Sequence, residues 1–203
     1  LLRAAGDRSG EARVLFDMGW IAIDQGKRDD AVRFNAESLA LARTVDEPCA
    51  VYRATTNLGW ATLCCGEVDA AAAHFGEAHA LADRIGHTKG IAVSLVNLAW
   101  VALQRRELSR SVALAQESLR LCHLLGDREV LAECLDIMAA AAAADGDAPR
   151  GLLLGGGAEA LWEALHVVRP APHALAARVV PIDGSAVKVT DLVSCGLTMK
   201  LTL

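Results

Sequence analysis

"NLGWATLCCGEVDAAAAHFGEAHALADRIGH", residues 57–87, is two helical stretches divided by one glycine and closed by another. Its first four residues have counterparts in "DMGW" at 17–20 and "NLAW" at 97–100, so three of the chain's four tryptophans stand 40 residues apart. Catalytic side chains have no reason to recur at a fixed interval, whereas a structural unit that stacks on copies of itself does. Shifting the sequence over itself by 40 residues aligns Leu1, Leu41, Leu81, Leu121 and Leu161 without a gap. The same shift aligns Met18, Leu58, Leu98 and Met138, then Gly19, Gly59, Ala99 and Ala139, then Ala31, Ala71, Ser111 and Gly151. Gly26, Gly66, Arg106 and Gly146 form one turn column and Gly6, Gly86 and Gly126 another, which divides each repeat into two helices.

In the first repeat the spacing predicts helices over about Glu11–Gln25 and Asp29–Val45. Asp29, Asp69 and Ser109 share the column before the second helix and are expected to be N-caps. In the fourth repeat Pro149 takes that column, so Asp147 is the expected cap there. Residues 1–5 match the end of a second helix and the first residue is Leu1 rather than Met, so the sequence reads as a piece of a longer array. The repeats are expected to form one domain over 1–168, followed by a non-repeat tail over 169–203. From Pro170 onward the register stops and prolines and β-branched residues take over. A short hairpin around "DGS" at 183–185, packing into a groove, and non-native read-through all remain open for this tail.

Composition bounds the class. Of 203 residues 53% are hydrophobic, enough for a sizeable core, while aromatics are only 4% and alanine runs through every segment, which favours closely packed helices. The expected fold class is all-α. A net charge of −5 lacks the basic stripe that contact with nucleic acid needs. The most apolar run, "LDIMAAAAAA" at 135–144, is too short to span a bilayer and contains Asp136. Six cysteines, at 49, 64, 65, 122, 134 and 195, lack metal-ligand CxxC pairs and the density of a secreted disulfide scaffold, so they read as reduced thiols of a cytoplasmic protein.

Gly19, Gly59 and Ala99 follow a Leu or Met, with Ala31, Ala71 and Ser111 twelve residues on, and Phe75 four after Ala71. This pattern resembles the L-G…A core of tetratricopeptide repeats. It departs from them where the usual Trp position holds Leu15, Thr55, Leu95 and Leu135, and the usual Tyr position Ala22, Thr62, Ala102 and Ala142. The stretch at 57–87 is similar instead to the long repeats of bacterial MalT and LuxR-type ATP-binding transcriptional regulators, and "GLLLGGGAEALWEAL" at 151–165 resembles the segment that closes such arrays. The resemblance covers residues 1 to about 170. It implies a right-handed superhelix of about four stacked helix-turn-helix repeats whose first helices line a concave groove.

On each first helix one stripe is small and apolar, as Leu15, Met18, Gly19 and Ala22 show, and serves packing. The stripe beside it reads Arg13, Asp17, Trp20, Asp24, then Arg53, Asn57, Trp60, Cys64, then Val93, Asn97, Trp100, Gln104. The candidate ligand groove is therefore Arg13, Asp17, Trp20, Arg53, Asn57, Trp60, Asn97, Trp100 and Gln104. Tryptophan supplies a rigid apolar face, the Asn amides pair with a peptide backbone, and Arg13 and Arg53 favour an anionic end, although Asp17 lies one turn from Arg13. A Trp at a fixed column also fills the space between neighbouring repeats, and both roles can hold together. In the fourth repeat Glu133, Ile137, Ala140 and Ala144 replace this chemistry.

No nucleophile, base and orienting acid assemble from the sequence, and the glycines at 155–157 lack both the Lys-Ser/Thr of a phosphate loop and a preceding strand. His74 and His79 do not share a helical face, so no metal site or cofactor is expected. The favoured function is a non-catalytic interaction or sensor module of a larger bacterial regulator. Its partner would be a protein, a peptide or another domain of the parent chain, with no direct nucleic-acid or membrane contact; self-association is open. The alternative is a free-standing small-molecule-binding protein or enzyme that uses the same cavity.

Overall fold

A computed structural model describes residues 7–45 and 47–166, which fold as eight α-helices with no strand among the described residues. They pair as the 40-residue period requires: α1 (Arg8–Asp24) with α2 (Arg28–Thr44), α3 (Pro48–Cys64) with α4 (Val68–Arg84), α5 (Thr88–Gln104) with α6 (Leu108–Leu125), and α7 (Arg128–Ala144) with α8 (Ala148–Leu165). The fold is thus a helical repeat. "GLLLGGGAEAL" is part of α8, not a loop. The tail expected beyond residue 168 lies outside the described residues, as does Gly6.

Six of the seven helix connections, the ones whose residues are all described, use the same turn. Gly26, Gly66, Gly86, Gly126 and Gly146 have φ between 64° and 86°, and Arg106, in the glycine column, adopts φ 61°. In the first turn Gly26 N–H donates to the Ile23 carbonyl at 3.0 Å and Lys27 N–H to the Ala22 carbonyl at 2.9 Å. This is the Schellman arrangement, which satisfies carbonyls a helix end would otherwise leave bare. Ala31 N–H then donates to Lys27 O at 2.9 Å, so the next helix begins two residues after the left-handed one.

The caps are only partly those expected from sequence. Asp147 caps α8 through Arg150 N–H, as read, and Asp7 and Asp127 cap α1 and α7. Asp29, Asp69 and Ser109 are not N-caps: the cap positions are Lys27, Glu67 and Glu107, with no side-chain cap bond, and the short polar residues sit inside the first turn. The tight turn already binds the preceding carbonyls and leaves the column two residues too late to cap. Asp29 and Asp69 still favour the positive end of their helices.

The chain divides into two compact units between Ser94 and Leu95, inside α5. Within the first, α1 packs on α2, α2 on α3 and α3 on α4. Leu39 of α2 meets Ala54 and Leu58 of α3, with Val32 and Val51 at the margin. Tyr52 joins Ala78, Leu81 and Ala82, donates its hydroxyl to the Gly90 carbonyl at 3.1 Å and is pushed up to about 12 by burial. Within the second unit α7 packs on both α6 and α8. There Trp162 Nε1–H donates to Asp136 Oδ2 at 2.9 Å, and Ser111 donates to the Ala99 carbonyl at 2.9 Å.

Pairing within a repeat depends on size complementarity at one column. A Cβ placed on Gly59 would come within 2.5 Å of the buried Phe75 ring, and one on Gly19 would collide with the side chain of Asn35. Where the facing column shrinks to Ala115 and Gly155, the glycine column is filled by Ala99 and Ala139. Glycine at 59 is thus required by close approach, whereas a Cβ on Gly156 would meet nothing within 4 Å. Gly59→Ala should lower the stability in urea unfolding by about 1–3 kcal/mol through overpacking. Gly156→Ala, which removes only backbone entropy from the middle of α8, should raise it by up to ~1 kcal/mol.

Candidate functional site

The groove stripe divides by burial. Arg13, Asp17 and Arg53 are exposed, Trp20 is half-buried, and Asn57 and Trp60 are enclosed in the first unit. In the second unit Asn97 and Trp100 are each 1% exposed and Gln104 is half-buried. Asn57 and Asn97, read from sequence as amides that pair with a peptide backbone, are therefore enclosed rather than presented to solvent. Asn57 Nδ2 reaches the Phe16 carbonyl of α1 at 3.4 Å, tying α3 to α1, while Asn97 Nδ2 has no hydrogen-bond partner among the described residues. Trp60 packs edge-on against Phe75, with ring centroids 5.6 Å apart, and so also serves the α3–α4 interface.

What stays accessible lies on α1 and α3. Phe16, Asp17, Trp20, Ile21 and Asn57 line an open, mostly apolar depression of about 400 Å³. A smaller hollow of about 130 Å³ shares Phe16 and adds Arg13, Arg53, Ser9 and Glu47. Arg53 stacks its guanidinium over the Phe16 ring at 5.4 Å. Among the described residues no ion pair joins Arg13 to Asp17, the internal pairing their spacing allows, and both Arg13 and Arg53 are exposed. Phe16 and Ile21 were missing from the residues picked out by sequence. Phe16 is one turn before Trp20 and Ile21 directly follows it, but their columns continue as Thr56, Val96 and Asp136 and as Ala61, Val101 and Ala141, so neither shows a repeat signal.

The fourth member of the Arg13 column, Glu133, is buried in the second unit. Burial first, and then the charges of Glu129, Asp136, Asp127 and Cys122, push its carboxyl well above the usual carboxylate range. It is therefore held protonated at pH values where a surface glutamate is ionised. Among the described residues no three His, Cys, Asp or Glu side chains cluster as metal ligands, and no helix is long and apolar enough to cross a membrane.

No protein-family model matches the chain, and no curated protein matches it. Solved structures do. The apo form of RapI superposes with a TM-score of 0.67 at 11% identity over 77% of this chain, which spans 57% of that protein's length. The tetratricopeptide-like repeats of a putative kinesin light chain from Podosopora anserina give a TM-score of 0.61 at 16% identity, over 90% of this chain and 91% of theirs. BtubC (BKLC) from P. vanneervenii gives 0.62 at 18% identity, over 94% and 82%. At these identities the likeness establishes the fold, a tetratricopeptide-like helical repeat.

Because the folded Glu133 binds its proton more tightly than the unfolded chain does, its contribution is full below the unfolded value near 4.5 and is lost as pH rises toward the folded value. Urea unfolding of the wild type should therefore show stability falling, relative to Glu133→Gln, as pH rises above the unfolded value near 4.5, by up to about 1.4 kcal/mol per pH unit. Parallel pH profiles for the two proteins would show that Glu133 does not titrate in this way.

Proposed function

We propose that this chain is a non-catalytic protein- or peptide-binding module, part of a larger bacterial signalling or transcriptional regulator acting in the cytoplasm. The observation that carries the reading is the depression on α1 and α3, where Phe16, Trp20 and Ile21 offer apolar contact beside the exposed guanidinium groups of Arg13 and Arg53. An aromatic anchor in such a hollow is the kind of contact that dominates the energy of protein interfaces. The fold supports the same reading, since stacked helix pairs build extended binding surfaces. Arg13, Asp17, Trp20, Arg53 and Asn57 form the working surface, completed by Phe16 and Ile21. Trp60 acts from inside, packed on Phe75 within the unit that presents this surface, whereas Asn97 and Trp100 are buried in the second unit.

The regulator assignment rests on the repeat resemblance, and sequencing the gene around this segment tests it: an adjoining ATP-binding or helix-turn-helix coding region supports it, and a free-standing reading frame of this size overturns it. For the binding surface, peptides selected from a random display library on the wild-type protein are the probe. Trp20→Ala, half-exposed and so compatible with folding by circular dichroism, should weaken the selected peptides about 30-fold, equivalent to about 2 kcal/mol. Peptides that bind Trp20→Ala and Phe16→Ala as tightly as wild type would place recognition elsewhere.

A further inference from the structure

Two side chains of the second unit carry more chemistry than their packing requires. Cys122, in the last turn of α6, and Cys134, near the start of α7, are free thiols, both fully buried. The two helices pack on each other, the Cys134 and Cys122 thiols are hydrogen-bonded, and the Ser118 hydroxyl lies 3.6 Å from the Cys122 sulfur. In the preceding repeats the Cys122 column holds Ala42 and Ala82, and in the second and third the Cys134 column holds Ala54 and Ser94, each at 1% exposure or less. A methyl or hydroxymethyl group fills these positions, so a pair of sulfurs is not what packing requires. What two touching thiols add is the capacity to become a bond.

The contact is asymmetric. The hydrogen bond from Cys134 holds the Cys122 thiol below its ordinary value; burial opposes this and the Ser118 hydroxyl reinforces it. Cys134, as the donor and in buried surroundings, is held above its own. The thiolate, which is the nucleophilic form, therefore belongs to Cys122, and Cys134 stands in contact to resolve whatever Cys122 becomes. Hydrogen peroxide is little larger than water, and the last turn of a helix opens locally at less cost than its middle, so a small oxidant reaches Cys122 without global unfolding.

We propose that hydrogen peroxide joins Cys122 and Cys134 in a reversible disulfide that locks α6 onto α7. The Cys122 thiolate attacks one peroxide oxygen: the S–O bond forms, the O–O bond breaks, and the departing hydroxide leaves as water with the proton Cys122 gave up. The Cys134 sulfur then attacks the Cys122 sulfenic acid: the S–S bond forms, the S–O bond breaks, and the second hydroxide leaves as water with the Cys134 proton. Two thiols lose two electrons in all, and one peroxide is reduced to two waters. A dithiol reductant reverses the step by exchange. The bond closes the loop from 122 to 134 and ties the third repeat to the fourth covalently. It lies in the second unit, apart from the peptide depression, and does not depend on what that depression binds.

The test treats the whole reduced chain with increasing hydrogen peroxide, blocks the remaining thiols with iodoacetamide in urea, and reads the tryptic peptides by mass spectrometry. Cleavage after Arg120, Arg128 and Arg150 puts the two cysteines on separate peptides, 121–128 and 129–150. These should emerge joined and lighter by two hydrogens at peroxide doses that leave Cys49 alkylated, and dithiothreitol should release them. Cys134→Ala, which carries the side chain Ala54 supplies in the same column, should fold by circular dichroism and hold Cys122 as a sulfenic acid that dimedone captures. The urea midpoint of the oxidised wild type should rise, and that of peroxide-treated Cys134→Ala should not. The inference fails if Cys122 and Cys134 stay alkylatable at doses that oxidise the exposed Cys49, or if the joined peptides form only when peroxide is added in urea. It also fails if oxidation lowers the midpoint of the wild type alone, because the bond would then strain the interface instead of locking it.

Discussion

In every described turn a residue with φ between 61° and 86° sends its N–H to a carbonyl three residues back, and the next N–H reaches five residues back. These two bonds end one helix and, within two residues, allow the next to begin. Helix length, helix reversal and the 40-residue period all follow from that constraint, since each helix must run 17 or 18 residues between turns. With the turns fixed, the glycine column at 19 and 59 falls opposite Asn35 and Phe75, and the backbones approach closely enough for a full helix face to be buried. Arg106 shows the strength of the constraint. A non-glycine side chain accepts a left-handed backbone there, at a cost of about 1–2 kcal/mol, because six equivalent turns close in one way.

The number of helices, their pairing and their turns were legible in the sequence, because each leaves a mark that recurs. A left-handed turn demands glycine, and a close crossing demands glycine or alanine opposite something larger, so both appear at constant offsets. The capping column was misread for a related reason. Asp29, Asp69 and Ser109 recur as caps would, but periodicity reports that a position is constrained without saying by what. The turn's own hydrogen bonds place the cap at Lys27, Glu67 and Glu107 instead.

The candidate site was half legible. A helical wheel gives the direction of Arg13, Asp17 and Trp20 correctly, and α1 presents them outward. It does not say what lies in front of a residue, and this is why Asn57 and Trp60 share that direction yet are buried. Asn57 in particular spends its amide on the Phe16 carbonyl rather than on a ligand. Phe16 and Ile21 escaped notice because they belong to one repeat only. Residues that build the array recur, whereas residues that give one repeat its own chemistry do not.

That contrast orders the chemistry along the repeats. The column that begins with Arg13 continues as Arg53, Val93 and Glu133, and the tryptophan column ends in Ala140. The first two members are exposed cations and the last is a buried acid kept neutral by its surroundings. A buried neutral carboxyl can hold a fold together but cannot attract a charged partner, and an alanine cannot anchor one. The α7–α8 pair has traded recognition for packing: Ala139, Ala140, Ala141 and Ala142 are buried, and Trp162 spends its indole N–H on Asp136. The α1–α3 surface has made the opposite exchange, leaving Trp20 half-exposed, Arg53 stacked on Phe16, and an apolar stripe at Val14, Met18 and Ile21 open. Exposed aromatic and aliphatic area beside solvated arginines costs solubility and contributes nothing to folding. In the other repeats the columns of Val14 and Ile21 hold buried side chains, Ala54, Ser94 and Cys134 in one and Ala61, Val101 and Ala141 in the other, so the accessible apolar area of α1 is chemistry that the repeat pattern does not dictate.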